Sequence, residues 1–148
     1  MSSRVDKPID VLLVEDDDGD VRLLREAFDQ LDIETRIRVA SDGEQAVTLL
    51  TDRGDEQRAV PDLVLLDLDL PRMNGLELLE TLAAEPELAR LPVLVLTKST
   101  SVADVHASYE LAANAYLTKP TTTEGYVKMV NAVAEFWFRR AALPSIAS

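Results

Sequence analysis

The chain has 148 residues, enough for one domain with a substantial core and too few for a second fold of ordinary size. Fifteen basic and twenty-seven acidic residues give a net charge of −12, which repels nucleic acid and anionic lipid. With no cysteine, and with His106 as the single histidine, the chain lacks the residues for disulfides, thiol nucleophiles and zinc-thiolate sites. Any metal must therefore be held by oxygen atoms.

No apolar stretch reaches the roughly 18 residues of a membrane span, and the polar residues 1–7 lack the apolar core of a signal peptide. We therefore expect a cytoplasmic protein that binds neither membrane nor nucleic acid. The predicted organisation is a flexible N-terminus over 1–8, one domain over 9–140 and a tail over 141–148. The composition, with eleven arginines against four lysines, resembles that of proteins from salt-loving microbes. Because salt screens the repulsion within a chain of net charge −12, we predict that high salt assists folding.

Five short apolar runs, each bounded by polar or turn residues, predict strands of a sheet that is buried on both faces. Apolar residues at helical spacing follow the strands and predict helices. The helix after the first strand begins at Asp20, and Ser41 is predicted to cap the helix after the second. The predicted strands are 9–14, 33–40, 63–66, 93–96 and 115–118, and the predicted helices are 20–31, 42–50, 75–82, 102–111 and 124–140. This alternation indicates an α/β fold, a doubly wound parallel sheet with helices on both faces.

Polar side chains follow four of the five predicted strands. Glu15 and Asp16 follow the first strand, Asp67 the third, Thr97 the fourth and Lys119 the fifth. The carboxyl ends of parallel strands form the edge at which such sheets bind ligands. Clustered carboxylates need a cation, and an all-oxygen ligand set suits Mg²⁺. Mg²⁺ and Lys119 would neutralise a phosphoryl group, and Asp67, on the central strand, is best placed to be its nucleophile.

Four segments together resemble the receiver domain of response regulators in two-component systems, over about residues 9–140. They are VLLVEDD at 11–17, LVLLDLDLPRMNG at 63–75, VLVLTKS at 93–99 and AYLTKP at 115–120. The resemblance implies a flavodoxin-like five-stranded sheet of order 2-1-3-4-5 with five helices, and a sensor histidine kinase as partner. It further implies that Asp67 accepts the phosphoryl group and that Lys119 contacts its oxygens. The implied Mg²⁺ ligands are Glu15, Asp16, Asp67 and the backbone carbonyl of Asp69.

The same resemblance implies a switch in which the Thr97 hydroxyl moves toward the phosphoryl group and the Tyr116 ring follows inward. Segments 15–28, 108–120 and 136–138 are most similar to the stand-alone receivers that serve bacterial phytochromes. Asp69 and Ser99 lie two residues past Asp67 and Thr97, and we predict that they flank the path of the hydrolytic water. The signal is expected to leave through a surface to a partner protein, or the chain serves as a phosphate sink.

An enzyme is the main alternative, because the run LVLLDLDLP also resembles the Asp-x-Asp motif of haloacid-dehalogenase phosphatases, formed here by Asp67 and Asp69. That family places its acidic metal ligands after the lysine, whereas this acid pair precedes Lys119 and little room is left for a cap. A flavin carrier would share the fold, but the loop after the first strand is acidic, and glycine-rich nucleotide-binding motifs are absent from the sequence. We therefore expect a phosphoacceptor switch that promotes only its own phosphorylation and dephosphorylation.

The last predicted helix is apolar over an unusually wide arc. At about 100° per residue its apolar side chains cover roughly 200°, against about 100° for a helix that faces one core. At least one of Phe136, Trp137 and Phe138 is therefore predicted to lie in water, and exposed apolar patches often mark interfaces. We expect this helix, the fourth helix and the fifth strand near Tyr116 to form a homodimer or docking surface.

Overall fold

The computed structural model describes residues 8–51, 60–68, 70, 73, 75–98 and 115–140. These residues contain one sheet of five parallel strands in the order β2-β1-β3-β4-β5. The strands are β1 (Ile9–Val14), β2 (Thr35–Ala40), β3 (Leu63–Leu66), β4 (Val93–Thr97) and β5 (Ala115–Thr118). The predicted doubly wound sheet, including its strand order, is therefore confirmed.

Burial along the strands follows their position in the sheet. Every residue of β3 and β4 is buried, whereas the edge strands β2 and β5 are mostly half-buried. Parallel strands that are covered on both faces are expected to be continuously apolar, as these central ones are. Strand β2 begins at Thr35, two residues later than predicted, because its ladder with β1 begins at the pair Ile9 and Thr35.

Four α-helices lie in the described ranges. They are α1 (Asp18–Asp29), α2 (Gly43–Thr51), α3 (Gly75–Ala84) and α4 (Thr123–Val133). The predicted fourth helix, 102–111, lies outside the described residues, as do residues 1–7 and 141–148, so α4 corresponds to the fifth predicted helix. None of the described helices is both long and apolar enough to cross a bilayer.

Two helix starts differ from the sequence prediction. Helix α1 begins two residues before Asp20, because the Asp17 carboxylate caps it by accepting a hydrogen bond from the Asp20 backbone N–H at 3.0 Å. The predicted Ser41 cap of α2 is wrong. Asp42 caps this helix instead, since its carboxylate accepts from the Gln45 N–H at 2.7 Å, and the Ser41 hydroxyl donates to the Gln45 side chain.

The C-terminal helix is not regular along its predicted length. The α-helical part ends at Val133, and Ala134–Arg140 continues as a π-helix. A π-helix has wider turns than an α-helix, with hydrogen bonds from residue i to i+5. The rotation of about 100° per residue therefore applies only as far as Val133. The predicted wide arc used that rotation for the aromatic residues beyond Val133, where the helical period is different.

The helices cover the sheet from both sides. On one side, α1 and α4 pack against each other and against β1, β3 and β4 through Leu24, Phe28, Tyr126 and Val130. On the other side, α2 and α3 pack through a second cluster that includes Leu50, Leu78 and Leu79. Because both faces are apolar, polar chemistry is left to the edges of the sheet. The carboxyl edge carries the site described next.

Candidate functional site

Buried polar side chains in the described part of the chain are confined to one edge of the sheet. They are Glu15, Asp67, Thr97 and Lys119, each at most 7% exposed, and each directly follows or ends a different strand. Buried ionisable groups are rare unless they are paired or functional. The structure therefore brings together four of the residues that the sequence predicted for this edge.

Asp67 is fixed by the backbone on both sides. Its N–H donates to the Val14 carbonyl at 3.0 Å, and the Gly75 N–H donates to the Leu68 carbonyl at 3.0 Å. A Cβ atom added at Gly75 would lie 2.7 Å from the Asp67 carbonyl oxygen and 2.6 Å from the Leu68 Cα. Only glycine therefore lets α3 begin this close to the segment that carries Asp67.

Lys119 lies among three carboxylates. Its Nζ atom is 2.7 Å from Glu15 Oε1, 2.8 Å from Asp20 Oδ2 and 3.1 Å from Asp67 Oδ2, and its backbone N–H donates to the Thr97 carbonyl. Burial alone would lower the pKa of Lys119, but the close contacts with the Asp20 and Glu15 carboxylates outweigh burial and raise that pKa. The lysine is therefore a permanent positive charge at this edge.

The surroundings of Glu15 oppose the ionised form of its carboxyl group. Burial and the nearby Asp67 carboxylate raise the pKa of Glu15 to about 8, against the opposing effect of Lys119. Its Oε1 atom lies close to the Lys119 ammonium, yet it has no partner in hydrogen-bond geometry within the described part of the chain. An additional cation next to this oxygen would satisfy it.

The donor set at this edge fits a divalent metal ion. Oxygen atoms of Glu15, Asp16 and Asp67 all lie within 4.8 Å of one another, with Asp16 exposed and the other two buried. Carboxylate oxygens are the ligands that hard cations such as Mg²⁺ and Ca²⁺ prefer. The incompletely satisfied Glu15 oxygen supports the same conclusion. The predicted backbone ligand, Asp69, lies outside the described residues.

Two residues of the site were missed by sequence reasoning. Asp20, in the first turn of α1, contacts Lys119, and the buried Tyr126 hydroxyl donates to the other oxygen of Asp20 at 3.1 Å. Helical spacing carried no signal for Asp20, because Asp16 precedes the cap residue Asp17 and lies outside α1. Tyr126 was interpreted as one member of an apolar arc, although the Thr122 cap places it in the first turn of α4, near Lys119.

The predicted switch and surface residues differ in their burial. Thr97 is fully buried at the end of β4, and Tyr116, in the middle of β5, is half-buried against the core beside α2 and α3. Phe136 is 55% exposed and makes an edge-to-face contact with Trp137 at 5.1 Å between ring centroids. At least one aromatic ring of the π-helix is thus in water, as predicted. Ser99 lies outside the described residues.

Comparison with known proteins decides the family. A sequence model of the response regulator receiver domain matches residues 11–131, which is most of the chain. The chain belongs to the response regulator receiver family. As a response regulator it is a signalling switch of two-component systems, which receive phosphoryl groups from histidine kinases.

Several relatives match this receiver along nearly their whole length. The response regulator Rcp1 of Synechocystis is 40% identical over 146 residues, covering 98% of this chain and 99% of its own length. The probable methanogenesis regulatory protein FilR2 of Methanothrix harundinacea is 37% identical, covering 88% of this chain and 84% of its own. The identity to Rcp1 agrees with the predicted similarity to phytochrome-associated receivers.

Solved structures show the same relationship. The phosphorylated cyanobacterial phytochrome response regulator RcpA superimposes with a TM-score of 0.87 at 35% identity, covering 93% of this chain and 99% of its own. The Mn²⁺-bound form of Rcp1 superimposes with a TM-score of 0.84 at 40% identity, again covering 93% of this chain and 99% of its own. The phosphatase alternative receives no support from these comparisons.

Proposed function

We propose that this receiver is a stand-alone response regulator in which Asp67 accepts a phosphoryl group from a sensor histidine kinase, with Mg²⁺ as the metal, in the cytoplasm. The observation that carries the proposal is the contact of Lys119 with both Asp67 and Glu15 at a buried edge that also holds the acidic cluster. The near-complete mutual coverage of this chain and the response regulator Rcp1 supports a receiver unit over 9–140.

Each residue of the site has a separate role in the phosphoryl transfer. An Asp67 carboxylate oxygen attacks the phosphorus atom, the bond to the donor's histidine nitrogen breaks, and that imidazole leaves with the electron pair. Lys119 neutralises the non-bridging oxygens. Glu15, Asp16, Asp67 and the Asp69 carbonyl would hold Mg²⁺, which supplies further positive charge for the phosphoryl oxygens when it is bound. Because the product is a modified side chain, the protein is a switch and not a turnover enzyme.

The metal requirement gives a direct test of this function. Incubation with acetyl phosphate or phosphoramidate should add one phosphoryl group per chain in the presence of Mg²⁺ and none in excess chelator, measured by intact-protein mass spectrometry. Hydroxylamine should remove the group, because an acyl phosphate is cleaved by this nucleophile. Continuous turnover of assorted phosphate esters without a phosphoprotein would instead favour the phosphatase interpretation.

The lifetime of the phosphorylated state is proposed to depend on Asp69 and Ser99. A carboxylate beside the acyl phosphate can accept a proton from the attacking water, whereas an amide is a much weaker base. Asp69→Asn should therefore slow dephosphorylation severalfold and leave phosphorylation by small donors nearly unchanged. The check is the decay of isolated phosphoprotein, with Ser99→Ala measured in parallel. Equal decay in wild type and Asp69→Asn would remove Asp69 from the water path.

The output surface is proposed to include β5 near Tyr116, the predicted helix 102–111 and the aromatic residues of the π-helix, Phe136, Trp137 and Phe138. The exposed Phe136 ring supports this proposal. With a phosphoryl mimic bound, the wild type should sediment as a homodimer, and the double variant Phe136→Ala/Phe138→Ala should sediment as a monomer. Arg25→Ala, on the exposed surface of α1, is the control. A wild type that remains monomeric in both states would exclude the dimer and leave an unidentified downstream protein.

A further inference from the structure

The Asp20 carboxylate joins three elements of the fold. It lies in the first turn of α1, accepts a hydrogen bond from Lys119, which follows β5, and accepts another from Tyr126 of α4. We propose that Asp20 is a positioning residue that holds the Lys119 ammonium group at Asp67 throughout the phosphorylation cycle. This inference rests on the proposed function, because it assumes that Lys119 contacts the phosphoryl group.

The three acidic contacts of Lys119 have different fates during the reaction. Asp67 forms the new bond to phosphorus, and Glu15 belongs with it to the acidic cluster that would hold the metal. Both carboxylates therefore take part in other bonds when metal and phosphoryl group arrive. Asp20 is not part of that cluster, so its contact at 2.8 Å can persist while the other two are exchanged.

A persistent contact has a physical effect on the lysine. A lysine side chain has several rotatable bonds and loses rotamer entropy when it is fixed. If Asp20 fixes Lys119 before the donor binds, that ordering is already complete when the transition state forms. Removing the Asp20 carboxylate would take away the contact that persists, so the ammonium group would have to be ordered during the reaction itself.

Tyr126 keeps the Asp20 carboxylate in a single orientation. Its ring is only 2% exposed, and its hydroxyl donates to Asp20 Oδ1 while Lys119 contacts Oδ2, so both carboxylate oxygens have defined partners. Burial and the Asp20 charge raise the pKa of Tyr126, which keeps the hydroxyl protonated as a donor. Helix α4 therefore contributes the Tyr126 hydroxyl group to the site.

A role in helix capping does not explain the Asp20 side chain. Asp17 caps α1 through its own carboxylate, and Asp20 contributes only its backbone N–H to that bond. Asp18, in the same first turn, is exposed, whereas the Asp20 side chain is 15% exposed and turned toward Lys119. Asp18 thus offers a matched control with the same charge, the same turn and an exposed position.

The test compares Asp20→Ala, Tyr126→Phe and the control Asp18→Ala in phosphorylation by acetyl phosphate at saturating Mg²⁺. Asp20→Ala should lower the maximal rate about 10-fold, the size of effect seen when a group that orients a functional side chain is removed. Tyr126→Phe, which keeps the buried ring, should lower it less, and Asp18→Ala should match the wild type. Mg²⁺ affinity by calorimetry should change little in all variants, because Asp20 is not a proposed metal ligand.

A second readout is independent of phosphorylation. In metal-free wild type, the Lys119 ammonium group should give a protected ¹⁵N signal in NMR spectra, assigned by its loss in Lys119→Arg, and Asp20→Ala should broaden or abolish it. An unchanged signal, or an Asp20→Ala rate equal to or above that of the wild type, would overturn the proposal. If the wild type itself fails to become phosphorylated at Asp67, the proposed function fails, and the ammonium signal still decides whether Asp20 orders Lys119.

Discussion

Asp67→Asn is expected to reduce phosphorylation by small donors and by any cognate kinase to background. The amide that replaces the carboxylate has no anionic oxygen to attack phosphorus, while its size and its backbone contact with Val14 are retained. The change also removes one of the carboxylates that raise the Glu15 pKa, so the variant should be at least as stable as the wild type. Phosphoprotein yield by mass spectrometry and thermal unfolding give the two measurements.

The matched control is Asp62→Asn. Asp62 directly precedes β3 and Asp67 directly follows it, so the two changes affect opposite ends of one strand. Asp62 accepts a hydrogen bond from the Asp10 backbone at 2.9 Å, far from the acidic cluster along the strand. Its substitution should leave phosphorylation intact. A normal yield of hydroxylamine-labile phosphoprotein in Asp67→Asn would assign the acceptor to another residue.

Gly75→Ala is expected to destabilise the fold by about 1–3 kcal/mol, the range for overpacking a well-packed site. The new methyl group would lie 2.6 Å from the Leu68 Cα and 2.7 Å from the Asp67 carbonyl oxygen, and both neighbours are backbone atoms that move only if the chain moves. The displaced segment is the one that carries Asp67. Phosphorylation should therefore slow along with the loss of stability, which urea unfolding would measure.

Gly19→Ala separates this clash from the general effect of replacing a glycine in a first helical turn. At Gly19 an added Cβ meets only Asp17 Oδ1, at 3.1 Å, and this exposed carboxylate has to move by only a few tenths of an ångström while it caps α1. Alanine also favours helix more than glycine does, by about 1 kcal/mol. We therefore expect Gly19→Ala to be neutral or mildly stabilising. Similar unfolding curves for the two variants would show that the close approach at Gly75 is tolerated.

Much of this fold could be predicted because its signals are local. Continuous apolar runs such as 63–66 and 93–96 occur where a strand is buried on both faces, and alternation with helices restricts the sheet to a parallel arrangement. The residues just after these runs, Asp67 and Thr97, then lie at one edge whatever the details of the helices. The same rule places the acid pair and Lys119, which follow other strands, at that edge.

Other features depend on contacts between residues distant in sequence or on a choice between equivalent neighbours. Asp20 and Tyr126 are 106 positions apart, and their bond arises only because α1 and α4 pack on the same side of the sheet. Ser41 and Asp42 are both good caps, and only geometry assigns the role to Asp42. The spacing of apolar residues does not reveal the change to a π-helix after Val133, because interpreting that spacing assumes the α-helical period throughout.

The π-helix at Ala134–Arg140 gives the end of the C-terminal segment a different helical geometry from the α-helical part before it. Side chains before it include Tyr126, which contacts Asp20, and Val130, which completes the core. Residues beyond Ala134 are rotated relative to a continuing α-helix, so an altered turn there would re-aim the exposed Phe136 ring. Partner recognition could therefore diverge among related receivers while the phosphorylation machinery stays the same, with the boundary between the two at a single helical turn.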